Sequence, residues 1–165
     1  MRRKLLPYYG ERKSKIDMIV LHAVAYDVED AIKSFCDNEV SSHYIVAENG
    51  DVWQLVGEKR RARHAGVSYW RGIEDVNSHS LGIEFCSKSL GQKKYSRAQI
   101  KSGMELIKKL VKKYKIRPEN IVGHSDVAPS RKADPGKAFF WKELAKEGVV
   151  FGYNLSDAKE NERLF

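Results

Sequence analysis

The sequence predicts an α/β fold, a single domain built on a central mixed β-sheet flanked by helices. Three observations carry that prediction. Short apolar runs of strand length recur along the chain, beginning with Met18-Ile19-Val20-Leu21. Between two later runs lies a long amphipathic segment with apolar residues at Ile100, Met104, Ile107, Val111 and Tyr114; spacings of four and three put them on one helix face. A chain of 165 residues also suffices for one core without disulfide or metal support, because a domain near this size buries about 70% of its unfolded surface. Strands interleaved with helices point to a central sheet covered by helices on both faces.

The elements follow in order. Residues 1–15 are polar and basic and read as a loose N-terminal arm. A buried strand covers 18–21 and ends at His22. Asp27 is a candidate cap for a helix over 28–37. Strands over 43–47 and 52–56 flank Glu48-Asn49-Gly50-Asp51, whose Asn-Gly pair is a strong hairpin signal. Another strand covers 80–85. Ser96, with Gln99 three residues later, forms a capping-box pattern that opens the long helix, and Pro118 lies just past its end. A last short strand covers 121–124. Residues 125–138, with Pro129, Pro135 and Gly136, read as a loop, followed by a short helix around 140–147. The domain therefore spans 16–150, and 151–165 is a tail with helical potential.

Composition narrows the function classes. Apolar residues at 42% are too many for general disorder. Thirty Lys and Arg against 22 Asp and Glu give +8, a field that favours nucleic acid, anionic lipid or a carboxylate-rich cell wall. No zinc-finger, RRM or helix-turn-helix signature is present, so nucleic acid is set aside. Cys36 and Cys86 form no CxxC pair, which excludes a cysteine metal site and reads as two reduced thiols. Pro7 interrupts Leu5-Leu6, leaving no apolar leader core, and no run reaches the roughly 20 apolar residues of a membrane span. On this sequence the cytoplasm is expected, with the cell envelope as the alternative.

The candidate chemistry lies at strand ends. His22 and His124 each close a strand-like run, and Asp134 follows His124 by ten residues. Two imidazoles and a carboxylate make a three-ligand set for one catalytic zinc with an open fourth position. The alternative is that each histidine is an ordinary core or surface residue, since no HExxH-type pattern is present. Glu84 sits in the apolar run Leu81-Gly82-Ile83-Glu84-Phe85. It is either an outward-facing strand residue or a general base whose pKa burial raises. Lys132 is either a solvated loop lysine or a cation placed to stabilise an oxyanion.

Read together, the segments resemble a known family. Val20-Leu21-His22, Ser41-Ser42-His43-Tyr44, Arg63-His64-Ala65-Gly66-Val67-Ser68, Asn77 with Ser80-Leu81-Gly82-Ile83-Glu84, and the block from His124 to Gly136 occur in that order. Over about residues 16–150 the chain resembles the type-2 N-acetylmuramoyl-L-alanine amidases, the AmpD/AmiD group, which is related to T7-type lysozyme and the peptidoglycan recognition proteins. The phrases around 53–56 and 115–120 look closer to AmiD. The resemblance implies a zinc amidase domain with ligands His22, His124 and Asp134, Glu84 as acid/base, Lys132 as oxyanion stabiliser, and His64 and Asn77 lining the groove. It implies a structural role for His43. It implies muropeptides as partners and cleavage of the lactyl–L-alanine amide, with a non-catalytic peptidoglycan-binding module as the alternative. Ser42 stands where the T7-type branch has a catalytic tyrosine. Glu39 and Asp75 stand where the AmpD branch often has arginines. Arg63 and Arg71 are expected to pair with the carboxylates of the peptide stem.

Overall fold

The structure, a computed structural model, describes residues 1–151. The expected helical tail falls almost entirely outside them. The elements are β1 (Arg2–Arg3), β2 (Tyr9–Glu11), β3 (Met18–Val24), α1 (Val28–Asp37), β4 (Tyr44–Val46), β5 (Val52–Gln54), β6 (Arg60–Ala62), α2 (Val76–His79), β7 (Ser80–Cys86), α3 (Arg97–Tyr114), β8 (Ile121–Gly123), α4 (His124–Val127) and α5 (Trp141–Lys146). Six strands form one sheet in the order β1-β5-β4-β7-β3-β8, and β2 pairs with β6 in a small second sheet. The large sheet is mixed. β3 runs parallel to β7 and β8, β4 runs parallel to β7, and β5 returns antiparallel to β4.

Two crossovers explain why helices cover both faces. The connection β3–α1–β4 passes over β7, and β7–α3–β8 passes over β3 in the opposite direction. Crossovers of the usual right-handed sense that run in opposite directions must lie on opposite faces. Ile19, Leu21, Leu81, Ile83 and Phe85 accordingly point toward α3 and α5, packing on Ile107, Leu110, Phe140 and Leu144. Met18 and Val20 point the other way, onto Val76 of α2 and Val127 of α4. Ile45 meets Ala31, Ile32 and Phe35 of α1.

Local expectations are met with some instructive differences, among them a short helix, α4, where a strand end and loop are expected. Asp27 caps α1 by accepting from Asp30 N–H at 3.0 Å, and the 47–51 turn carries Gly50 at φ +89, a value that favours glycine. Ser96 caps α3 through Gln99 N–H at 3.0 Å. The Gln99 side chain, however, does not reach back to complete a capping box. Its amide donates to Val46 O and Cys86 O at 2.9 and 2.8 Å, tying α3 to the ends of β4 and β7. The buried face of α3 is centred on Gly103, Leu106, Ile107 and Leu110, so Ile100, Met104, Val111 and Tyr114 flank it and are only partly buried. Gly103 lets Phe85 approach, since a Cβ there would lie 2.5 Å from the ring.

Residues 1–15 are not a loose arm. β1 pairs with β5, β2 pairs with β6, Leu6 is buried at 5% exposure, and the Arg12 guanidinium donates to four backbone carbonyls, those of Glu58, Arg60, Asn77 and Ser78. Edge pairing and one long cation anchor a polar segment whose sequence shows no periodicity. Among the described residues no helix is long and apolar enough to cross a membrane. Both cysteines are free, Cys86 buried and Cys36 partly so.

Candidate metal centre and its cavity

The parallel strands β3, β7 and β8 end side by side, and in open α/β sheets the carboxyl ends of strands are where ligands gather. His22 continues the parity of Met18 and Val20, and Glu84 is its register partner on β7. Both side chains therefore emerge on the sheet face opposite α3. His124 begins α4 directly after β8, where Asp126 Oδ2 accepts from Gly123 N–H at 2.6 Å and turns the chain. The loop beyond α4 comes back along the same edge, held by a Ser125 N–H to Asp134 O bond of 2.9 Å, which delivers Asp134.

Three ligand atoms converge. His22 Nδ1 lies 2.9 Å from His124 Nδ1, and Asp134 Oδ2 lies 3.3 Å from the first and 3.1 Å from the second. Donors bonded at about 2.0 Å to one tetrahedral ion stand about 3.3 Å apart, so the triangle has the size of a three-ligand set, and these residues can hold a metal ion.

The outer ring nitrogens show which protonation state faces inward. His124 Nε2 lies 3.1 Å from the carbonyl of Ala65. A carbonyl only accepts, so Nε2 carries a proton, and in the neutral ring Nδ1 is the bare nitrogen. For His22 the chain is longer. Ser80 Oγ–H donates to Val76 O at 2.6 Å, so Ser80 Oγ accepts from His64 Nε2–H at 3.2 Å, and His64 Nδ1 in turn accepts from His22 Nε2–H at 3.0 Å. His22 Nδ1 is then bare as well. In these neutral tautomers two unprotonated nitrogens and a carboxylate oxygen face one another at about 3 Å, an arrangement that suits a cation between them. Burial reinforces the neutral rings, lowering the His22 pKa to about 4 and His64 well below its ordinary value.

Glu84 lines the same cavity, 9% exposed. Burial, with Asp134 adding to it, pushes its carboxyl up to about 8 against the opposing pull of Lys132. Lys132 is exposed at the cavity rim. The cavity measures about 730 Å³ and is also lined by Arg63, His64, Asn77 and Arg131. Eight of the nine residues singled out in the sequence thus meet in one place.

Arg71 does not. It stands at φ +46 in a tight turn closed by backbone bonds between Trp70 and Ile73. There it borders a different cavity of about 690 Å³, which shares only Ala133 with the first. The turn fixes its direction, and nothing in the sequence marked 70–73 as a turn. Asp75 also stays out of the cavity, paired with Arg61 at 2.7 Å and capping α2. His43 is fully buried, accepting from Gly82 N–H at 3.0 Å and donating to Arg60 O at 3.0 Å, a structural engagement on both nitrogens. His79 pairs with Asp17 at 3.0 Å, away from the cavity. Arg131 escaped the sequence reading although it sits inside the quoted block; it donates to Ala65 O and Val67 O at 3.0 and 2.6 Å and braces that wall.

Comparison with known proteins fits this geometry. AmiD of Escherichia coli K12 is 41% identical over 149 residues, covering 82% of this chain and 54% of AmiD. AmpD of Enterobacter cloacae is 34% identical, covering 78% and 68%. Thus the chain spans about half the length of AmiD and two thirds of that AmpD. Among solved structures, E. coli AmiD in complex with the substrate anhydro-N-acetylmuramic acid-L-Ala-D-γ-Glu-L-Lys superposes with a TM-score of 0.79 at 34% identity, covering 89% of this chain and 63% of that one. AmpDh3 of Pseudomonas aeruginosa superposes with a TM-score of 0.78 at 32% identity, covering 93% and 66%. The family profile described as N-acetylmuramoyl-L-alanine amidase matches residues 12–137, from the Arg12 anchor through the loop that carries Asp134. The chain belongs to the N-acetylmuramoyl-L-alanine amidase family.

Proposed function

We propose that this chain hydrolyses the amide bond between the lactyl group of N-acetylmuramic acid, ordinary or 1,6-anhydro, and the L-alanine of a peptidoglycan stem peptide, with one zinc ion held by His22, His124 and Asp134. The observation that carries the reading is the triangle of two bare imidazole nitrogens and one carboxylate oxygen, with Glu84 and Lys132 in the same cavity. An N₂O set with tetrahedral spacing suits zinc, which tolerates mixed nitrogen and oxygen donors and keeps a fourth position open. When bound, zinc supplies Lewis acidity, polarising the carbonyl and acidifying water.

The chain's own residues do the rest. Glu84, poised near neutrality by burial, takes a proton from the attacking water and later delivers one to the departing alanine nitrogen. Lys132 places its ammonium at the rim, where the carbonyl oxygen gains negative charge. Arg63, exposed on the cavity wall, offers a guanidinium to the carboxylates of the stem. A bound anhydromuropeptide in the AmiD structure supports this substrate class. The presence of all three presumed ligands together with Glu84 favours hydrolysis over binding alone.

The test is incubation of the zinc-loaded protein with N-acetylmuramoyl-L-Ala-D-γ-Glu-L-Lys followed by mass spectrometry. The expected products are N-acetylmuramic acid and the intact tripeptide. Uncleaved substrate, or cleavage within the peptide, would overturn the assignment.

A further inference from the structure

Both presumed ligand histidines take their outer hydrogen bonds from one dipeptide. His64 Nδ1 receives His22 Nε2–H at 3.0 Å, and Ala65 O receives His124 Nε2–H at 3.1 Å. The dipeptide is itself clamped. Asn77 Oδ1 accepts from the backbone N–H groups of His64 and Ala65 at 3.1 and 2.9 Å, and Asn77 is 6% exposed. Arg12 holds the other side of that residue, donating to Asn77 O and Ser78 O at 3.3 and 2.6 Å. The His64 ring lies flat against the sheet only because residue 82 is glycine; a Cβ there would stand 2.5 Å from His64 Cγ. Ser80 then receives the His64 Nε2–H and passes its own proton to Val76 O. The relay ends on a carbonyl, so its direction is fixed.

We infer that His64 and Asn77 are positioning residues for the metal rather than substrate contacts: His64 fixes the His22 tautomer, and Asn77 holds the dipeptide that orients both ligand histidines. The inference rests on the metal reading above. Outer partners of this kind hold a ligand ring in its binding tautomer and orientation. With His64 anchored through Ser80, its Nδ1 is the acceptor that keeps the His22 proton at Nε2 and leaves Nδ1 open. Asn77 acts one step further back.

Two substitutions at position 64 separate the hydrogen bond from the packing. Phenylalanine keeps the ring over Gly82 but cannot accept a proton; asparagine loses the ring but puts Oδ1 where Nδ1 stood. In competition with a chromogenic chelator, His64→Phe should bind zinc about 10–100-fold more weakly than wild type and His64→Asn within about threefold of it, the range outer-partner loss produces. Asn77→Leu should weaken binding in the same direction, and Asn77→Asp, which keeps an acceptor, much less. Circular dichroism and thermal unfolding of the metal-free variants check that each is folded. A folded His64→Phe that binds zinc as tightly as wild type would overturn the inference and leave the metal reading standing. Wild-type protein that takes up no zinc would overturn both. A second measurement needs no variant. Long-range ¹⁵N–¹H correlation spectra of metal-free wild-type protein should show His22 and His64 both protonated at Nε2, and a His22 ring protonated at Nδ1 would overturn the inference.

Discussion

At the residue scale the site works by contrast among buried polar groups. Glu84 lies beside Asp134 in a cavity that burial makes poor at solvating charge, so its carboxyl holds a proton up to about pH 8 in the metal-free chain. A group that both accepts and returns a proton near neutral pH is best placed there. Glu84→Gln keeps the shape and removes the acceptor. Turnover should fall by about 10²–10⁴-fold, with zinc content unchanged by metal analysis, because general acid–base groups contribute that much. Lys132→Ala should cost about 10²–10³-fold in kcat, the typical loss for one oxyanion donor. A glutamine variant cleaving at the wild-type rate would remove Glu84 from the mechanism. His43 shows a buried imidazole doing the opposite job. Burial lowers its pKa from 6.5 to about 3, while both ring nitrogens bind backbone groups. The folded chain refuses a proton that the unfolded chain accepts. The contribution of His43 to stability is therefore full above about pH 6.5 and is lost as pH falls toward 3. The stability difference between wild type and His43→Gln should shrink with a slope of up to about 1.4 kcal/mol per pH unit as pH is lowered from 7 to 4.5. Parallel urea-denaturation curves across that range would show that His43 is not held neutral, and zinc should remain bound in the variant at pH 7.

At the element scale the ends of strands and the start of one helix are stitched together by side chains rather than by ladder bonds. Gln99 is 1% exposed and bridges the Val46 and Cys86 carbonyls. Gln99→Leu keeps the volume but strands two buried acceptors, each costing about 1–3 kcal/mol when unsatisfied. The urea midpoint should fall accordingly, and Gln99→Glu should fall further, because a carboxylate would face both carbonyls; a midpoint unchanged in both variants would mean that water replaces the amide. The same residue shows where sequence reading stops. Ser96 and Gln99 are visible as a helix start, because a cap is a local event within four residues. That the glutamine side chain turns to β4 and β7 instead depends on contacts 53 and 13 residues away. Local signals likewise fixed α1, the Asn49-Gly50 hairpin and the central strands to within a residue or two. The two-residue β1, the three-residue β2 and β6, and the four-residue α2 carry no period long enough to register. They exist because Leu6 and Arg12 find distant partners. That His22, His124 and Asp134 come together is expected from the family resemblance, whose motifs they occupy in order, and the structure does bring them together. Arg71 was misplaced because charge says nothing about the direction of a turn, and the outer partners of the histidines became visible only once the ring nitrogens had coordinates.

At the scale of the whole molecule, two oppositely running crossovers leave the carboxyl ends of β3, β7 and β8 open, and the loop beyond α4, with Arg131 to Asp134 on the cavity wall, closes one side of the opening. In the proposed reaction the amide would enter this cavity, with the sugar farther out. Asp75 is engaged with Arg61 and Arg71 borders another cavity, so neither lines the cavity that holds Glu84. Matched muramyl and 1,6-anhydromuramyl tripeptides should accordingly be cleaved with kcat/KM values of the same order. A preference beyond about 10³-fold for the anhydro form, about 4 kcal/mol of transition-state discrimination, would mean that an outer contact distinguishes them. The central claim is that three side chains from separate parts of the chain, His22, His124 and Asp134, assemble one metal site on which hydrolysis depends. Titrating zinc into chelator-stripped protein while following cleavage of the muramyl tripeptide tests it most directly. Activity should be absent at the start, rise in proportion to added zinc and level off at one equivalent per chain. Full turnover in the stripped protein, or a plateau at any other ratio, would contradict the account.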